Sequence, residues 1–312
     1  MEKLILAFCA TKKFEMKLYL AHHLNSSEMH KARKYWMSFY VRFTDYMYDD
    51  LGYYDNYVGH VIKNLKAFLN YVNEDTLIQI GSFHDKFHVP KEEIQIVTLT
   101  PAQLNYLIYD KQLHNQLSPN LRIIKDTFVL GCTVAMRFSD LMALSKHNLT
   151  VNENRHYLKI QAEKTNVESN IWLPEYAVEI LKRYESKRKT LLPSFSNAYF
   201  NIQLKKLSAF INLSEPMIKV RTKRRRPLVI YKNQKERKHY TMADHITTHT
   251  MRRTAITVML RLGMDEQAVR KVSGHSAGSK EFYKYVSFSQ SYLDIQAERT
   301  FTKLAELQGI SR

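Results

Sequence analysis

Five separated stretches of this 312-residue sequence hold arginine, lysine, histidine and tyrosine in spacings suited to one task, the handling of a phosphate. In Ala135-Met136-Arg137-Phe138-Ser139-Asp140-Leu141, Arg137 sits between apolar neighbours just before a helix start. An unpaired charge is costly there, so an anion is expected to meet it. Lys164, in Glu163-Lys164-Thr165, falls near the turn of an expected β-hairpin. In His249-Thr250-Met251-Arg252-Arg253-Thr254, the i, i+3 spacing puts His249 and Arg252 on one side of a helical turn, able to converge on one group. Val272-Ser273-Gly274-His275 reads as a helix that ends at Gly274 and leaves His275 on a rigid corner. Glu281-Phe282-Tyr283-Lys284-Tyr285-Val286 follows. Cutting a phosphodiester without a metal takes cations against the non-bridging oxygens, a nucleophile, and an acid for the leaving oxygen. Arginine suits the clamp because its planar fork gives two parallel hydrogen bonds and stays charged.

Each residue also has a plainer role. Arg137 taken alone is a surface or ion-paired arginine, either histidine a cap or a carbonyl partner, and Lys164 a solvated turn residue. Tyr283, among Phe282, Tyr285 and Phe288, is ordinary aromatic packing in a chain with 20 tyrosines. A single site accounts for all of them at once.

The elements that must position these groups are mostly helical. Apolar residues recur at helical spacing through Trp36, Phe39, Tyr40 and Phe43, and again through Val58, Val61, Ile62, Leu65, Phe68, Leu69 and Val72. Lys31, Arg33, Lys34, Lys63 and Lys66 give these helices a basic outer face, which fits solvent or DNA equally well. Periodicity is lost from about Lys86 to Leu99, and Thr100-Pro101 then caps a new helix. The division expected is a helical DNA-binding domain over 1–88, a linker over 89–99 and a larger domain over 100–312. Within the latter, Ser118-Pro119 opens a helix that Gly131 is expected to end, and a short helix starts at Ser139. Tyr157–Ala162 and Ile171–Leu173 read as a β-hairpin, and helices follow near Tyr176–Tyr184 and Asn201–Phe210. Lys219–Lys238 carries ten Lys or Arg and one Glu, among them Lys223, Arg224, Arg225, Arg226 and Lys232. That composition fits a basic β-excursion over a phosphate backbone. The fold expected is mainly α with a small β-sheet.

A formal charge of +17 and 45% hydrophobic residues describe a globular chain with a polyanionic partner. Cys9 and Cys132 lie far apart with no CxxC pair, which excludes a disulfide scaffold or zinc site and points to the cytoplasm. No apolar run reaches the ~20 residues that span a bilayer, and no signal peptide opens the chain. No membrane association is expected.

The order Arg, Lys, His-x-x-Arg, Gly-His, Tyr resembles the tyrosine recombinase (phage integrase) family, from Leu99 to about Phe301. The helices before it are similar to that family's core-binding domain. By this resemblance Arg137 and Arg252 match the paired arginines, Asp140 the acidic residue that steadies the site, and His249 and His275 the two histidines. Lys164 matches the hairpin lysine that protonates the departing 5′ oxygen, and Tyr283 the nucleophile, because Tyr-x-x-Val is the local pattern. The implied activity is site-specific DNA cleavage and rejoining through a 3′-phosphotyrosyl intermediate, needing neither cofactor nor metal. A tetramer on double-stranded DNA, held by an exchanged C-terminal helix over Ser289–Leu307, is implied as well. Placement is cytoplasmic, nucleoid-associated and bacterial in type, with mobile-element integration or excision the favoured task. The first 22 residues are too few for the arm-binding domain that many such integrases carry, so this chain uses core sites only or starts late. Arg253 stands where many members have a histidine, and the His275–Tyr283 interval is one residue short. Tyr285 therefore stands as an alternative nucleophile. A type IB topoisomerase, a DNA-binding regulator and a non-catalytic RNA-binding protein are the other readings.

Overall fold

A computed structural model describes residues 1–17, 19–20, 24–75, 78–161, 168–185, 189–276, 278–288 and 290–308. The fold is mainly α with small sheets, in two units. One unit is Met1–Gln95 with Ile218–His239; the other is Ile96–Met217 with Tyr240–Arg312. Residues 218–239, which the sequence reading places inside the 100–312 stretch, thus group with the N-terminal unit.

Three helices build most of that unit: α1 (Glu2–Lys12), α2 (Ser26–Asp45) and α3 (Asp55–Asp75). Asn25 and Glu28 form a reciprocal capping box that starts α2. The apolar stripes of α2 and α3 face each other over an aromatic core of Phe8, Trp36, Phe39, Phe43 and Phe87. Phe39 and Phe43, one helical turn apart, stack with ring centroids 5.4 Å apart. Burial of each such side chain contributes roughly 1.5–3 kcal/mol. Phe68, though on the expected stripe, is half exposed. A π-helical turn over Tyr46–Asp50 extends α2 and turns Tyr46, Met47 and Tyr48 inward, leaving Asp49 and Asp50 outside. Gly59 lies against the chain at Pro90, whose carbonyl oxygen is 1.9 Å from where a Cβ would stand.

The basic stretch is an antiparallel hairpin, Lys219–Lys223 paired with Arg226–Ile230. Its two turn residues, Arg224 and Arg225, have φ of 52° and 65°, the left-handed pair of a type I′ turn. The fully buried Asp55 carboxylate holds this turn, accepting both backbone N–H groups at 2.8 and 2.9 Å and the Tyr48 hydroxyl at 2.8 Å. Arg221 pairs with Glu92, whose side chain is 1% exposed, and Glu92 also accepts the Thr222 N–H. Arg224 reaches Asp45 and Asp49.

The larger unit is arranged around two helices, α6 (Pro119–Val134) and α11 (Thr248–Arg261), each buried along most of its length. Before α6 come α4 (Pro101–Tyr109), capped by Thr100, and α5 (Lys111–Gln116). Gly131 does not end α6, as expected from sequence: it lies in the helix interior, where a Cβ would come within 2.5 Å of the Met251 sulfur on α11. The absent side chain allows close helix approach, and Ala135, at φ 55°, is the residue that stops the helix. The buried threonines of α11 have partners for their hydroxyls: Thr257 donates to Arg253 O, and Thr254 accepts the Leu99 N–H.

After the short α7 (Phe138–Ala143), β1 (Leu149–Asn152), β2 (Arg155–Gln161) and β3 (Glu168–Trp172) form one antiparallel sheet. Two of its strands match the expected hairpin, and β1 is an addition. Leu158, Ile160 and Ile171 face the core, while Trp172 is 56% exposed. Helices α8 (Glu175–Arg183), α9 (Asn197–Phe210) and α10 (Met242–His245) follow, with α12 (Glu266–Ser273), α13 (Lys280–Phe288) and α14 (Gln290–Gln308) closing the chain. Gly274, at φ 62°, terminates α12 as the sequence predicts.

Candidate active site

Each candidate group occupies a position that the local chain dictates. The left-handed turn at Ala135 ends α6, and two residues later Arg137, in extended backbone, is the N-cap of α7. Arg252 projects from the first turns of α11 and is 8% exposed; its Nη1 donates to the Ala135 carbonyl at 3.0 Å. This bond ties the α6–α7 corner to α11. Arg137 and Arg252 line a small cavity of about 20 Å³ together with Asp140, Ser273 and Gly274. Asp140 lies 3.9 Å from Arg137 Nη1. That nitrogen is buried and, among the described residues, has no hydrogen-bond partner. A half-buried guanidinium with an unused donor is an anion site by its chemistry.

His275 stands on the corner after Gly274, its N–H bonded to Arg270 O at 3.1 Å. The ring lies 2.8 Å from Ser273 Oγ through Nδ1 and 3.1 Å from Arg252 Nη2 through Nε2. The same Nη2 lies 3.3 Å from Nδ1, and because arginine can only donate, the imidazole is the acceptor of this contact. Burial, with Arg252 and Arg137 close by, pushes the His275 pKa down to about 4, so the ring is neutral near pH 7. His249 is exposed at the start of α11, one turn before Arg252. Partial desolvation, then Arg253, Arg252 and Arg137, hold its pKa below the ordinary value, leaving a free base. Burial and the Arg137 charge lower Arg252 to about 10, which keeps it a cation.

The two tyrosines of α13 differ in surroundings. Tyr285 is half-buried, with its ring centroid 6.2 Å from that of His275. Tyr283 is 46% exposed, and its hydroxyl accepts a hydrogen bond from Arg270 Nη2 at 3.2 Å. The structure thus gathers Arg137, Asp140, Arg252, His249 and His275, and places the Tyr283 phenol on Arg270. Lys164 lies outside the described residues. Arg270, Glu266 and Ser273 were not singled out from sequence; Arg270 and Tyr283 are 13 positions apart on different helices, a spacing with no periodic signature.

Of the basic candidates in the N-terminal unit, Lys31, Arg33, Lys34, Lys63, Arg226 and Lys232 are exposed. Lys66 is directed instead to the carbonyls of Asp85 and Phe87, and Lys223 is half-buried. Arg224 is occupied by Asp45 and Asp49, and Arg225 lies 3.0 Å from His88 Nε2.

Residues 99–290 match the phage integrase family. The chain belongs to that family. It is accordingly a tyrosine recombinase, an enzyme that breaks and rejoins DNA. The solved structures agree in fold. XerH site-specific recombinase bound to palindromic difH substrate superposes with TM-score 0.55 at 13% identity, over 83% of this chain and 68% of that one. A lambda integrase dimer bound to a COC′ core site gives 0.52 at 14%, over 81% and 63%. The Tn1549 transposon integrase in complex with transposon right end DNA gives 0.52 at 14%, over 96% and 91%. No curated protein matches the sequence. Among the described residues no helix is long and apolar enough to cross a membrane.

Proposed function

We propose that this integrase-family enzyme recombines specific double-stranded DNA sites through a 3′-phosphotyrosyl intermediate, with Tyr283 as nucleophile and mobile-element integration or excision as its task. The observation that carries the reading is the convergence of Arg137, Arg252, His249 and His275 beside a buried guanidinium nitrogen with an unused donor. Arg137 and Arg252 grip the non-bridging oxygens and stabilise the charge of the pentavalent transition state, with His275 beside them and Asp140 steadying Arg137. The Tyr283 oxygen bonds to phosphorus as its proton passes to His249. The bond to the 5′ oxygen breaks, and that oxygen takes a proton from Lys164. Attack by a partner strand's 5′ hydroxyl reverses the sequence, so the phosphodiester energy is conserved and neither ATP nor a metal is required.

Residues 1–88 are proposed as the core-binding domain, with 89–99 the linker and 100–312 catalytic. The exposed basic residues of α2 and α3, with Arg226 and Lys232 of the 218–239 segment, are proposed to lie on phosphate. A tetrameric synapse is supported by two features of the larger unit. Phe301 and Leu304 on α14 are 67% and 57% exposed, and an apolar cavity of about 610 Å³ is lined by Leu104, Ile171, Val258, Met259 and Leu262. Support for the mobile-element task comes from the His249–Val286 motifs and from the fold likeness to the Tn1549 transposon integrase.

The position of Tyr285 beside His275 favours a second reading, in which Tyr285 is the nucleophile. Trapping on a nicked suicide duplex decides between them. Tyr283→Phe is expected to bind DNA and form no covalent complex, while Tyr285→Phe still forms it. A normal covalent yield from Tyr283→Phe would move the role to Tyr285.

A further inference from the structure

Which edge His275 turns to Arg252 is decided by its own helix. α12 ends in a Schellman motif, with the His275 N–H on Arg270 O and the Gly274 N–H on Lys271 O, both at 3.1 Å, so the backbone at His275 is fixed. The ring is then placed by its contacts. Among the described residues its hydrogen-bond partners are Arg252 Nη2 and Ser273 Oγ. Arg252 does not choose between the ring nitrogens, since its Nη2 lies 3.1 Å from Nε2 and 3.3 Å from Nδ1. Ser273 does choose: its Oγ is 2.8 Å from Nδ1. A helical serine ordinarily bonds a carbonyl of the preceding turn, and Ser273 has Arg270 O at 3.2 Å for that purpose, yet the imidazole is nearer. Ser273 is 2% exposed and lines the Arg137–Arg252 cavity, so the contact is made inside the site and shielded from solvent.

We propose that Ser273 is a positioning residue for His275: its hydroxyl holds Nδ1 and thereby reserves Nε2 for Arg252 and for the phosphate that Arg252 grips. This rests on His275 acting at the phosphate. A hydroxyl both donates and accepts, so it can keep Nδ1 in either neutral tautomer. With the proton on Nδ1, Ser273 accepts from the ring and gives its own proton to Arg270 O, while the bare Nε2 accepts from Arg252. When a phosphate oxygen takes the Arg252 donor, the ring serves that oxygen by donating from Nε2; Nδ1 is then bare and accepts the Ser273 proton. The ring stays neutral in both states, and the bond to Ser273 survives the change. Alanine can serve neither state, and threonine can serve both.

The test uses the full chain with two readouts. The first is the single-turnover rate of covalent complex formation on a nicked suicide duplex, measured across DNA concentrations so that the limiting rate and the half-saturating concentration separate. Ser273→Ala is expected to lower the limiting rate roughly two- to tenfold, the worth of one hydrogen bond, and to leave half-saturation within about twofold. Ser273→Thr, which keeps the hydroxyl, should stay near the parent. In a His275→Gln background Ser273→Ala should cost nothing further, because the bond it removes is already gone. The second readout is the nitrogen NMR resonance of His275 Nδ1 at neutral pH without DNA, in protein carrying isotopically labelled histidine and assigned by its absence from His275→Gln. It is expected to move in Ser273→Ala and to lie near the parent position in Ser273→Thr. An unchanged limiting rate in Ser273→Ala, a threonine variant as slow as the alanine one, an equal loss in the His275→Gln background, or a resonance that does not move overturns the proposal. Cleavage at the parent rate by His275→Gln would instead remove its premise, and the NMR readout, which needs no cleavage, tells the two failures apart.

Discussion

Asp55 is the residue on which the basic hairpin hangs, and its replacement has a calculable cost. Its Oδ1 accepts the Tyr48 hydroxyl and the Arg224 N–H, and its Oδ2 accepts the Arg225 N–H. In Asp55→Ala all three donors lose their partner. Tyr48 is 6% exposed, so its hydroxyl bears most of a desolvation penalty of roughly 1–3 kcal/mol, whereas the two N–H groups belong to exposed residues that water can reach and lose roughly 0.5–1.5 kcal/mol each. The expected loss is therefore about 3–4 kcal/mol in the N-terminal unit. Asp55→Asn can keep its oxygen at the Oδ1 position and retain two donors, so only the Arg225 N–H meets an amide nitrogen and the loss falls to about 1–1.5 kcal/mol. The assay follows from the placement of the tryptophans. Trp36 is buried in the aromatic core of the N-terminal unit, and Trp172 is exposed in the other unit. Urea unfolding followed by fluorescence in a Trp172→Phe background reports the N-terminal unit alone. A loss below about 1 kcal/mol for Asp55→Ala, or an Asn variant as damaged as the Ala variant, would refute the reasoning.

Two further outcomes are expected at the catalytic groups. Arg252→Lys keeps the charge but cannot hold the Ala135 carbonyl and a phosphate together, so cleavage should fall by about 10²–10³ in single-turnover assays with little change in DNA binding; a loss under tenfold would argue against bidentate contact. His249 has its pKa held below the ordinary 6.5, so the base form is present at neutral pH and is lost only as pH falls through that lowered value. The cleavage rate should be level through pH 7 and decline on the acid side, and His249→Gln should be slower with that limb flattened.

What the sequence disclosed is what local chemistry decides. Thr100-Pro101 and Ser118-Pro119 announce helix starts because the cap and the missing N–H act within one turn, and Gly274 announces a helix end for the same reason. Gly131 misleads, because its reason is the sulfur of Met251 on a distant helix rather than the backbone angle that glycine usually serves. The basic stretch was legible as a β-excursion and its charge pointed to phosphate, yet Arg224 faces Asp45 and Asp49. A charge count weighs the excess of cations and is blind to which of them have carboxylates folded against them. At the site, Arg137, His249, Arg252 and His275 were readable because each sits in a short pattern with its own local geometry. Arg270 carries no such pattern, since only tertiary packing brings it to Tyr283.

The hairpin also bears on how the protein is made. Glu92 and Asp55 emerge from the ribosome 129 and 169 residues ahead of the arginines whose side chain or backbone they hold. At roughly 5–20 residues per second, the nascent chain waits about 6–34 s before Arg221 and Arg224 exist. During that interval two carboxylates destined for a sealed interior remain in water, and the N-terminal unit cannot finish folding although most of its residues were synthesised first. The early part of this polypeptide is completed by a late one, which makes the window between the two the moment when chaperone binding or proteolysis has most to act on.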